Sequence, residues 1–84
     1  MLGKINKILE DREIQYGDAR RNFTNIGIGW GAILGVDPIP AHVVALMYDF
    51  GKTIRCTVNP ELEDSWLDKE GYTKLGREII ANEP

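Results

Sequence analysis

The sequence predicts an all-α protein, a compact bundle of about four helices in one domain spanning residues 1–84. Three observations carry that reading. Apolar residues recur at spacings of three and four through most of the chain. Glycines and prolines cluster between those runs, where they punctuate helices. No alternation of apolar and polar residues is long enough for a convincing strand.

The first helix is expected over residues 2–16, where Leu2, Ile5 and Leu9 repeat at helical spacing, with Ile8 beside them and Tyr16 near the end. Lys4, Lys7, Glu10, Asp11 and Glu13 fill its other face. Gly17 would cap that helix in a left-handed conformation, and Asp18 would cap the next by accepting from its free amides. The second helix, over 18–34, carries Phe23, Ile26, Trp30, Ile33 and Leu34 as one stripe. Gly27, Gly29 and Gly31 work against it, since each glycine costs a helix about 1 kcal/mol relative to alanine. Gly-x-Gly-x-Gly here follows no strand and lacks a Walker lysine, so it is a poor phosphate loop. It reads instead as a flat face where another helix, from this chain or a second subunit, comes close. Gly35 ends the element.

Val36-Asp37-Pro38-Ile39-Pro40 reads as a loop, with Pro40 suited to a first helical turn. The third helix, over 40–57, is expected to bury Val43, Leu46 or Met47, Phe50 and Ile54, with Ala41 and Ala45 allowing tight contact. Val58-Asn59-Pro60 ends it. In the fourth, over 61–81, Leu67, Leu75 and Ile79 share a row, Gly71 is a close-contact position, and Trp66 and Tyr72 flank it. Short connections make sequential helices antiparallel neighbours. A chain of 84 residues buries little core, so self-association is expected.

Charge and cysteine content narrow the function classes. A net charge of −3 opposes broad nucleic-acid binding, which needs a basic face, but leaves room for a local anion site. The single cysteine, Cys56, cannot form an internal disulfide; it fits a reducing cytoplasm and reads as a small buried hydrophobe. The one histidine, His42, lies on the far side of the same helix and reads as a surface or capping residue. The amino terminus has no long apolar run, so neither a signal peptide nor a membrane span is expected.

Two charged sets could carry chemistry. A fold-back near Asn59-Pro60 would bring Arg55 opposite Asp64 and Lys52 opposite Asp68. Such a set could bind a phosphate and a divalent ion, or it could be surface ion pairs of little energetic worth. Glu10-x-x-Glu13 and Glu61-x-x-Asp64 each place two carboxylates one helical turn apart, which suits Mg²⁺ but is also common on solvated helices. Among the aromatics, Trp30 reads as core, while Trp66, between Asp64 and Asp68, reads as a ring at the rim of a site.

In order along nearly the whole chain stand Ile8-Leu9-x-x-Arg12-x-x-x-Tyr16-Gly17-Asp18, Asn22-Phe23, Trp30, Val44-Ala45-Leu46-Met47 with Lys52 and Arg55, and Asp64-Ser65-Trp66-x-Asp68-x-x-Gly71-Tyr72. This pattern resembles a family of small proteins of unknown function encoded by tailed phages and prophages. It is more distantly similar to the MazG-like all-α nucleoside triphosphate pyrophosphohydrolases and to phage nucleotide-modification-associated domains. The MazG-like metal motif does not carry over, because the two carboxylate pairs here are two expected helices apart. Lys69-Glu70 also replaces the small apolar residues of many relatives in the phage family.

The resemblance implies a nucleotide or nucleotide-derived phosphate ligand, in the host-cell cytoplasm. Arg12, Tyr16 and Asn22 would form one half of the site, and Lys52, Arg55, Trp66, Asp68 and Tyr72 the other. Two versions stay open. Binding alone would sequester a nucleotide or cyclic-nucleotide-like immune signal. With Mg²⁺ held by Glu13, Asp64 and Asp68, the site would hydrolyse a nucleoside triphosphate. A rival of another class is an inhibitor or adaptor that binds a host protein through the acidic helical surface.

Overall fold

The computed structural model describes residues 2–82, with side chains described from Gly17 onward. The fold is all-α. Three helices follow one another, α1 (Leu2–Leu34), α2 (Ala41–Val58) and α3 (Glu63–Ala81), and no strand occurs among the described residues.

The expected first and second helices are one element, which corrects the four-helix count. Gly17 and Asp18 lie inside α1, and Gly17 does not adopt a positive φ. A single interior glycine weakens a helix without ending it. Asp18 has no helix start to cap; its carboxylate accepts from the Arg21 guanidinium one turn later. The real end of α1 is Gly35, at φ 71°. Val36 N–H donates to Gly31 C=O at 2.9 Å and Gly35 N–H to Ala32 C=O at 3.4 Å, the paired bonds of a Schellman stop.

At Gly27 and Gly31 the chain's own loop lies against α1, and Val44 of α2 also stands 3.4 Å from the Gly27 Cβ position. A Cβ on Gly27 would lie 1.9 Å from the Ile39 carbonyl oxygen, and one on Gly31 would lie 2.8 Å from that of Asp37. Ile39 N–H donates to Gly27 C=O at 3.0 Å, so the loop is tied where it crosses. Gly29 faces open space. This return turns the chain into α2, whose first amides, Val43 and Val44, both reach Pro40 C=O.

α2 packs on α1 with one edge and on α3 with its inner face. Phe23, Ala41, Val44, Ala45 and Ile79 form the core, with Val44 and Ile79 fully buried. Gly76 is the close-contact glycine of α3, with its Cβ position 3.5 Å from Ala45 Cβ. Ile79 is buried and Leu75 packs against the core as expected, but Gly71 faces open space and Leu67 is exposed, so the close-contact glycine of this row is Gly76.

The larger correction concerns α2. Ala41 and Ala45 are buried as expected, but Leu46, Met47, Phe50 and Ile54 all face outward, at 43–65% exposure. The inner face uses small residues because they let α3 approach closely. On α1, Ile33 and Leu34 are likewise exposed beyond the end of the packed stripe.

Candidate functional site

The aromatic residues of three helices converge on Tyr48. Its ring stacks on Phe23 at 5.3 Å between centroids, on Tyr72 at 5.4 Å and on Trp30 at 6.0 Å. These separations are those of attractive ring pairs, which prefer offset geometry. The group forms because Phe23 and Trp30 are seven apart on α1, Tyr48 lies on the α2 row that also holds Ala41, Ala45 and Lys52, and Tyr72 faces them from α3.

Beside this stack is a cavity of about 450 Å³ lined by Trp30, Met47, Tyr48, Gly51, Lys52, Arg55 and Tyr72. Its size lies within the roughly 300–1,000 Å³ usual for small-molecule sites. Three rings form the apolar wall, and two cations one turn apart on α2 stand at the other side. Lys52 Nζ is 2.8 Å from an Asp68 carboxylate oxygen, as the expected fold-back placed it. Arg55 and Asp64 form no ion pair, and among the described residues Arg55 has no carboxylate partner.

The expected site residues therefore divide. Lys52, Arg55 and Tyr72 line the cavity, and Asp68 stands at its edge through Lys52. Asn22 is exposed on α1 and is not in the lining. Trp66 is turned away: its indole N–H donates to Pro60 C=O at 2.9 Å, and its ring borders a separate groove along α3 with Lys69, Thr73 and Arg77. The side chains of Arg12, Glu13 and Tyr16 lie outside the described residues. Among the described residues, no three His, Cys, Asp or Glu side chains are grouped to hold a metal ion.

Two features escaped sequence reasoning. Tyr48, the centre of the stack, belongs to the helical row Ala41, Ala45, Tyr48 and Lys52, in which the two alanines are legible as close-contact positions but the polar members hide the pattern. The other is a polar clasp between α2 and α3. Lys69 Nζ donates to Asp49 Oδ1 at 2.5 Å and to Thr53 Oγ1 at 2.6 Å, while Thr73 Oγ1 donates to Asp49 Oδ2 at 2.9 Å. The Lys69 bond holds the Asp49 carboxyl below its ordinary pKa, with help from Thr73 and against the cost of partial burial. Lys69, the first residue of the polar Lys69-Glu70 step, thus has a structural use.

No helix among the described residues is long and apolar enough to cross a membrane. No curated protein and no solved structure matches the chain. The model of the domain of unknown function DUF6378 matches residues 1–80, and the chain belongs to that family.

Proposed function

We propose that this chain is a phage-encoded protein of the host cytoplasm that binds a nucleotide or a nucleotide-derived phosphate in the cavity beside Tyr48. The observation that carries this reading is the joining of three aromatic rings and two cations in one hollow between three helices. A base has a π-face that stacks on aromatic rings. A phosphate takes charge-assisted bonds from a guanidinium and an ammonium. Arg55, with no carboxylate partner among the described residues, supplies the first contact. Lys52 carries three donors, so it can hold Asp68 and still reach a phosphate oxygen.

Binding without turnover is the simpler form. The MazG-like hydrolytic form adds Mg²⁺ on Glu13, Asp64 and Asp68, and of these only Asp68 stands beside the cavity through a described contact. Calorimetric titration of the protein with ATP, AMP and ribose 5-phosphate, with and without Mg²⁺, tests the reading. AMP and ATP should bind, ribose 5-phosphate much more weakly, and Arg55→Ala should lose at least tenfold in affinity. Equal binding of ATP by wild type and an Arg55→Ala, Lys52→Ala double variant would place the ligand elsewhere. Release of pyrophosphate from ATP that disappears in Asp68→Asn would favour the hydrolytic form.

A further inference from the structure

Three chemically different levels follow one another along the facing helices α2 and α3. At the first, Tyr48 of α2 stacks on Tyr72 of α3 with ring centroids 5.4 Å apart, and Trp30 of α1 joins them. At the second, Lys52 Nζ stands 2.8 Å from Asp68 Oδ2. Lys52 is one turn after Tyr48 and Asp68 one turn before Tyr72, the pairing of antiparallel helices. At the third, Arg55 ends the row of cavity-lining residues on α2. A helix rises about 1.5 Å per residue, so Tyr48 and Arg55 lie about 10 Å apart along the axis, with the Lys52–Asp68 pair between them. Rings, carboxylate and guanidinium thus stand in the order of the base, sugar and phosphate of a nucleotide.

Asp68 is the odd member of this set. A site for phosphate alone has no use for a carboxylate at its edge, because the like charge opposes the ligand. The fold has little need of it either: the Asp68 side chain is 49% exposed, and so open an ion pair adds little stability. Lys52 engages Oδ2, and Oδ1 has no partner among the described residues. An ionised carboxylate only accepts hydrogen bonds, so the ligand group that suits it is a donor. Between a base and its phosphate, the donors are the sugar hydroxyls. Gly51, next to Lys52, lines the cavity at this level, and no atom stands within 4 Å of its Cβ position, which leaves room for the sugar.

We infer that Asp68 accepts a hydrogen bond from a sugar hydroxyl of the bound nucleotide, and that this contact selects nucleotides whose sugar hydroxyls are free. Lys52 has a second part in it: its ammonium fixes the Asp68 carboxylate at the level of the sugar, while Arg55 meets the phosphate. A carboxylate takes the ribose 2′-hydroxyl in the same way in dinucleotide-binding folds. The inference rests on the nucleotide reading above and adds to it the part of the ligand that Asp68 recognises.

Calorimetric titration of wild type and Asp68→Ala with AMP and with 2′,3′-dideoxy-AMP, in the absence of Mg²⁺, tests this. Omitting the ion keeps any metal-binding role of Asp68 out of the comparison. Asp68 is half exposed, so Asp68→Ala should keep the wild-type helical circular dichroism. Wild type should bind AMP about tenfold more tightly than the dideoxy analogue, the worth of one hydrogen bond to a charged group. Asp68→Ala should bind the two alike. AMP loses its contact, while the dideoxy analogue binds as it does to wild type or more tightly, because a like charge has left the neighbourhood of its phosphate. Equal binding of the two ligands by wild type overturns the hydroxyl contact and leaves the nucleotide reading standing. Equal losses for both ligands in Asp68→Ala also overturn it, and give Asp68 only the placing of Lys52. A wild type that binds neither ligand removes the nucleotide reading and this inference with it.

Discussion

The two faces of α2 follow opposite rules. The inner face is built from Ala41, Val44, Ala45, Tyr48 and Cys56, small side chains broken by one aromatic, and it is covered by α1 and α3. The outer face carries the larger apolar residues Met47, Phe50, Ile54 and Val58 and is open. Size decides which face the chain itself can cover. A helix–helix seam with Gly76 at the contact tolerates only small neighbours, and Ala45 supplies one. The large residues are then free to do something else. The cavity sits on the border between the faces, where Lys52 and Tyr48 of the inner side meet Met47 and Gly51 of the outer.

The sharpest way to break this contrast is truncation on each face. Ile79 is fully buried against the inner face, and Ile79→Ala should cost about 2–5 kcal/mol in chemical denaturation. Phe50→Ala in a dilute, monomeric sample should stay within about 0.5 kcal/mol of wild type. Equal losses would mean that the two faces do not differ.

Glycine-to-alanine changes sharpen the same contrast. At Gly27 the new Cβ meets backbone at 1.9 Å, and since backbone cannot step aside as a side chain can, the change should cost about 3 kcal/mol or more. At Gly51 the space is open, and alanine should stabilise the monomer by roughly 0.5–1 kcal/mol through helix propensity. Thermal melts of the two variants should move in opposite directions.

Between these lies the clasp that joins α2 to α3. Asp49 and Lys69 side chains are 17% and 25% exposed. Asp49→Asn should cost about 1–2 kcal/mol at neutral pH, as expected for a charge-assisted bond in partial shelter. Because the folded carboxyl titrates below its ordinary value, its contribution is complete above the unfolded pKa, about 3.9, and is lost as pH falls through the lower folded value. The stability gap between wild type and Asp49→Asn should therefore narrow in that acidic window.

The same contrast explains what was legible in the sequence. Helical periodicity revealed the fold class and the ends near Gly35 and Asn59, because turn residues act locally. It also placed Lys52 against Asp68, since a fold-back between two helices fixes which turns face each other. It misjudged α2, because a stripe of large apolar residues announces that a face will be buried and says nothing of what buries it. It divided α1 at Gly17-Asp18, because cap residues in mid-helix look the same as caps at a true end; Asp18 instead pairs with Arg21 along the same helix. Glycines 27 and 31 are a place of close approach, as their spacing suggests, but most of the approach comes from the loop at Asp37 and Ile39, with Val44 of α2 adding one contact at Gly27.

The two tryptophans offer the most direct measurement on the cavity itself. Trp30 lines it, whereas Trp66 is bonded to Pro60 outside it. In a Trp66→Phe protein the remaining indole fluorescence reports on the cavity alone. Titration with ATP should quench it saturably, and adding Arg55→Ala with Lys52→Ala should shift the midpoint by at least tenfold. An unchanged spectrum on titration, or quenching that is indifferent to the loss of both cations, would contradict nucleotide binding beside Tyr48.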